Sequence, residues 1–147
     1  MTEDSRLPPG IAAAIHASFG AQGLMRTLGA ELTDLAPGQA VIRAPLRPGN
    51  LQQHGHAHAG LTFAIGDSAA GYAALSTMPE GSEVLTTEMK IHLLAPGRGT
   101  ALVARGRVIR AGRRLVVVQA DLHAQQATGR ETHVALMIGT MIPVPPD

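Results

Sequence analysis

The chain has 147 residues, of which 45% are hydrophobic and 16% charged, with a formal net charge of +1. That is long enough for one domain with its own core and too apolar for a disordered chain. The near-neutral charge and 2% aromatic content argue against nucleic-acid binding, and the lack of cysteine excludes disulfides, thiolate metal sites and a cysteine nucleophile.

The first ten residues, MTEDSRLPPG, are acidic and broken by proline, unlike a signal peptide. A cytoplasmic location is the resulting expectation. Pro8 to Ala17 reads as a short helix, with Ile11 and Ile15 at i, i+4. A second helical turn fits Ala21 to Leu28. Glu31 to Leu35 and Ala40 to Leu46 read as strands joined by the turn Ala36-Pro37-Gly38. Arg47 to Gly55 is a loop. An N-terminal helical segment, 1–27, is expected to pack on a domain spanning 28–147.

Ala59 to Met78 carries one charge, Asp67, among Ala, Gly, Ser and Thr. A helix that is apolar nearly all round is buried. Its length would suit a membrane span, but Asp67 would lie near the bilayer centre at about 3 kcal/mol, and no basic cluster flanks it. No membrane association is expected. Pro79 and Gly81 end the helix.

From Val84 to Leu94 the period becomes two. Leu85, Met89, Ile91 and Leu93 alternate with Glu88, Lys90 and His92, which predicts a strand with one face on the core. Three further strands are expected at Thr100 to Arg110, Arg114 to His123 and His133 to Ile142. Pro143, Pro145 and Pro146 then close the chain. The class is α+β: an antiparallel sheet wrapped around one central helix, each hiding the other's apolar surface.

Two features of the helix point to chemistry. His54, His56 and His58 precede it at a spacing that an extended chain would turn to one side, as metal ligands require. They lie in a loop without cysteine, so no metal is expected. Asp67 is a lone acid in an apolar helix, readable as a hydrogen-bonded structural carboxylate or as a general base or nucleophile. The first backbone N–H groups of the helix, opened by His58-Ala59-Gly60, are free to meet an electron-rich oxygen. Asp67 lies roughly 12 to 14 Å farther along the axis. The two cannot act on one atom unless a second chain brings its Asp67 to this helix start. A site shared between subunits is therefore expected.

At these residues the chain resembles the hotdog-fold acyl-CoA thioesterases, in the phenylacetic-acid-degradation branch of the 4-hydroxybenzoyl-CoA thioesterase superfamily. The motif is Gly55, His58-Ala59-Gly60 and Asp67, followed by Thr86 and Pro96 in TTEMKIHLLAP, the hairpin Arg110-Ala111-Gly112-Arg113-Arg114, and Gly139-Thr140. The likeness covers about Leu28 to Val144. It implies the hotdog fold, a homodimer or homotetramer with interfacial sites, and hydrolysis of an acyl-CoA thioester without a cofactor. The resemblance implies a role for each site residue. The Ala59 N–H, with Gly60 as a second donor, polarises the thioester carbonyl. Asp67 of the other subunit activates water or attacks directly, and Thr86 holds that water or orients the acid. His58 positions the thioester or caps the helix. Gln52 or Gln53, and less directly Asn50, replaces an Asn common in relatives. Ala59 stands where Gly is usual, which a backbone donor tolerates. Arg98, Arg113 and Arg114, in or beside turns, are candidates for the CoA phosphates. Rival readings are a non-catalytic acyl-CoA-binding protein on the same fold, a hotdog hydratase or dehydratase, and a purely structural interaction protein.

Overall fold

The computed structural model describes residues 6–145, so most of the acidic N-terminal stretch and Pro146 lie outside the described residues. Helices α1 (Pro9–Ala21) and α2 (Gly23–Leu28) come first. Strands β1 (Glu31–Ala36) and β2 (Gln39–Pro45) precede the long helix α3 (Ala59–Leu75). Strands β3 (Glu83–Leu93), β4 (Ala101–Ala111), β5 (Val116–Gln125) and β6 (Glu131–Val144) complete the chain. All pairings are antiparallel, in the order β1-β2-β4-β5-β6-β3. The sheet lies against α3 as the sequence predicts.

Strand β5 shows how the core is made. Val116, Val118, Ala120, Leu122 and Ala124 are buried toward α3, and the residues between them face outward. Small residues let helix and sheet approach closely. A Cβ on Gly106 of β4 would collide with the backbone of Ala69 and Ala70 in α3, so only glycine fits there. α1 meets α3 near Tyr72 and Leu75, at the C-terminal end of α3, with Ile15 fully buried and Phe19 packed on the core. The ring of Phe19 meets Tyr72 of α3 edge-on, with centroids 6.1 Å apart. No helix among the described residues is long and apolar enough to cross a membrane.

Several boundaries differ from expectation. α1 extends to Ala21 rather than Ala17, so one more turn reaches α3. α3 stops at Leu75 rather than Met78. The Ser76 hydroxyl donates to the Ala73 carbonyl (2.7 Å) and accepts from the Gly38 N–H (2.8 Å), while Thr77 bonds back to Ala74. Pro79 disfavours a helical conformation at Met78. Strand β6 runs through Pro143, which pairs with Val84 beyond the last β5 partner, Met141.

The main correction is in β3. Its register shifts between Thr86 and Glu88, leaving Thr87 as an extra residue opposite β6. A bulge exchanges the faces of the residues on its two sides. Val84 packs on the core before the bulge, and Met89 and Ile91 do so after it. Leu85, expected inside, is 56% exposed, and Thr86 turns toward α3. Leu93 is also exposed, because it lies past the helix start and faces open space there.

Candidate active site

The loop before α3 is held by its own polar groups. Asn50 is buried, accepts from the Arg47 N–H (2.9 Å) and donates to the Pro45 carbonyl (3.0 Å). Its backbone carbonyl takes the His58 N–H, and Ala57 bonds across to Gly97 (2.8 Å). Asn50 thus holds the loop, with one amide hydrogen left over. The Gln52 side-chain oxygen accepts from the His54 and His56 N–H groups, which leaves its amide NH2 free. Gln53 is exposed and lines none of the three main cavities among the described residues.

His58 caps α3. Its Nδ1 accepts from the Gly60 N–H at 2.8 Å, so a neutral ring carries its proton on Nε2. The capping alternative for His58 is thus what the geometry shows, and Gly60, expected as a second carbonyl donor, has its amide engaged. The Ala59 N–H has no partner among the described residues. Ala59 lines a cavity of about 410 Å³ together with Gln52, His56, Ala57, Leu93 and Pro96, among others. Arg98 stands beside it, with its guanidinium 3.2 Å from His56 Nε2. The three loop histidines do not gather, and no metal-binding cluster of His, Asp and Glu exists among the described residues.

Asp67 opens into a different cavity, of about 270 Å³. Its Oδ1 accepts from the Thr86 hydroxyl at 2.8 Å, a contact the β3 bulge makes possible. No cation pairs with it among the described residues. Burial pushes its carboxyl above the ordinary aspartate value, and the Thr86 hydrogen bond pulls it partly back. A desolvated acid held by one hydroxyl is poised to accept a proton.

Three residues of this cavity, Ser18, Gln22 and Tyr72, were not singled out by sequence reasoning. Gln22 Nε2 donates to the Tyr72 hydroxyl (2.7 Å), and Ser18 Oγ lies 3.0 Å from it. The one signal for them was the chain's only tyrosine, placed in the long helix of small apolar residues.

The arginines do not form one patch. Arg98 lies before the start of β4, while Arg113 and Arg114 lie in the turn after its end, closed by the Gly112 N–H to Leu115 carbonyl bond. Eleven strand residues span about 35 Å. Arg113 lines a third cavity, of about 500 Å³, with Met78, Pro79, Val116 and Pro143. Arg114 is exposed.

A sheet curled on one helix, with a free amide at the helix start and an isolated acid beyond, places the protein among the hotdog-fold thioester hydrolases. The Thioesterase superfamily profile matches residues 54–129, just over half of the chain, and the chain belongs to that family. It is similar to a thioesterase family protein from Silicibacter pomeroyi at 38% identity and TM-score 0.89, covering 92% of this chain and 98% of the other. A mutant of the phenylacetic acid degradation protein PaaI from Thermus thermophilus matches at 29% identity and TM-score 0.71, over 82% and 98%. A Bacillus halodurans protein solved with CoA shares the fold at 24% identity and TM-score 0.72, over 92% and 83%.

Proposed function

We propose that the protein hydrolyses an acyl-CoA thioester to the free acid and CoA at a site shared by two copies of the chain. The observation that carries this reading is the separation of the Ala59 N–H and Asp67 into two cavities of one chain. The CoA-bound relative supports CoA as the leaving group. The 11-residue edge strand β3, unpaired on its outer side, supports pairing with a second copy. Antiparallel pairing there would set the two α3 helices antiparallel, each start beside the other's acid.

The thioester carbonyl accepts a hydrogen bond from Ala59 N–H, with the α3 dipole behind it. As the oxyanion develops, this donor contributes roughly 3 to 4 kcal/mol, the range for comparable donors. Asp67 of the other subunit removes a proton from water as the water attacks the carbonyl carbon. Alternatively, the acid attacks directly to give a mixed anhydride. Thr86 fixes the carboxylate. Collapse of the tetrahedral intermediate expels the CoA thiolate. The free amide of Gln52, which lines the same cavity as Ala59, orients the thioester. Arg98 of one subunit, with Arg113 and Arg114 of the other, are the cations for the CoA phosphates.

Mixed dimers test the shared site. Ala59→Pro removes the donor from one chain, and Asp67→Asn removes the base from the other. Both homodimers, once shown folded, should be nearly inactive. A mixed dimer has one doubly damaged and one intact site, so it should recover about half of wild-type activity if the sites are independent. Mixed dimers as inactive as their parents would place both groups within one chain.

A further inference from the structure

α3 contains two inward glycines, and their surroundings differ. A Cβ on Gly66 would run into the Met137 sulfur, with Leu122 Cδ2 at 3.2 Å, so the absent side chain there permits close packing. A Cβ on Gly71 would meet only Met141 Cε, at 3.9 Å, an ordinary contact. Alanine would therefore fit, and it would favour the helix over glycine. Packing gives no reason for glycine at this position. What a side chain at 71 would take up is the cavity beside Asp67, which Gly71 lines.

That cavity runs along the face of α3 from Asp67 past Ser68, Gly71 and Tyr72 to Leu75, about 12 Å of helix rise. Its volume of about 270 Å³ is roughly nine times the share of one liquid water. It therefore has room for a group of roughly nine non-hydrogen atoms. Part of its lining is polar: the Tyr72 hydroxyl, Ser18 and Gln22 form a small hydrogen-bonded set that can turn a donor or an acceptor to a guest. Glu83, at the start of β3, adds a second carboxylate to the lining, which disfavours an anionic guest.

We propose that this cavity is the acyl-group subsite, floored by Gly71 and lined on its polar side by Tyr72, Gln22 and Ser18. It selects acyl groups that carry a neutral hydrogen-bonding group within reach of those three side chains. The proposal rests on the reading of Asp67 as the acid that faces the thioester. It also gives α1 a function, since Ser18 on α1 and Gln22 just after it supply part of the specificity surface.

The test measures CoA release from acetyl-, hexanoyl- and 6-hydroxyhexanoyl-CoA. Wild type should show the highest kcat/KM for 6-hydroxyhexanoyl-CoA. In Gly71→Val the hexanoyl-to-acetyl ratio of kcat/KM should fall about 10-fold or more, the scale on which pockets discriminate single methylenes. Gly71→Ala should show a smaller fall of the same ratio with a raised Tm, which covers the case in which the valine variant does not fold. Tyr72→Phe and Gln22→Leu should remove the advantage of the hydroxylated substrate over hexanoyl-CoA. An active wild type whose Gly71 variants lower all three substrates by the same factor, or none of them, would overturn the subsite while leaving the thioesterase reading intact. No CoA release by wild type from any of the three would reject that reading, and the subsite with it.

Discussion

The two faces of the sheet treat carboxylates in opposite ways. On the outer face, Glu131 receives both terminal nitrogens of Arg105 at 2.9 Å, and Asp121 pairs with His133 at 2.9 Å. Gln119 also donates to Asp121, and His123 stacks on His133 with centroids 4.8 Å apart. Hydrogen bonding to Arg105 holds the Glu131 carboxyl below its ordinary value and pushes the guanidinium up. Burial, and then the nearby Arg105 and His133, push the His123 ring down. On the helix side, Asp67 meets one hydroxyl and no cation among the described residues, and burial pushes it up. An acid paired with a cation gives up its capacity to accept a proton. An acid desolvated and left without a cation keeps it.

The largest effect that would break this comparison is at Asp67. Asp67→Asn keeps the shape and can still accept from Thr86 but cannot take a proton. Its kcat should fall about 10²- to 10⁴-fold, the usual contribution of a general base. The same variant should be more heat-stable at neutral pH. The folded-state pKa is raised, so folding is favoured by the protonated acid, and that advantage is lost as pH rises through the folded value. The neutral amide avoids this loss, and the two proteins should converge in Tm at low pH. Near-normal turnover would remove Asp67 from the chemistry.

A smaller effect is expected at Thr86. Thr86→Val deletes the hydrogen bond that favours the charged acid, so the Asp67 pKa should rise further. The acid limb of the pH profile of kcat/KM should move to higher pH, with a loss of about 10-fold near neutrality. An unmoved limb would mean that some other group sets it.

The smallest effect should come from the outer face. Glu131→Gln should lose about 0.2 to 1 kcal/mol of stability at low salt and leave hydrolysis at the wild-type rate. The Glu131 pKa is depressed in the folded state. Its stabilisation is therefore present above the unfolded pKa and lost as pH falls through the folded one. Denaturation midpoints of mutant and wild type should differ at pH 7 and meet in acid. A large loss of activity would show that the two faces are coupled.

Much of the candidate site was legible in one dimension. Asp67 stood out because a charge in an apolar helix needs a reason. Ala59 stood out because a helix start leaves amides unpaired whatever the side chain. Thr86 was reached only through the family resemblance, since strict alternation places it on the polar face with Glu88 and Lys90. The bulge that turns it inward is a pairing event with β6 and leaves no local mark. Ser18 and Gln22 were missed for a related reason: α1 runs one turn farther, and only docking on α3 brings it to Tyr72.

The sequence by itself determined what short-range chemistry dictates: the order of elements, which depends on local period and turn residues, and the acid and amide set at a spacing no single helix can bridge. Only the tertiary structure decided which inward glycine is packing and which is space. Gly66 and Gly71 are the same residue in the same helix, and they differ in that β5 and β6 press against one while a cavity opens over the other. Volume is a property of neighbours distant in the chain, so no window along the sequence contains it.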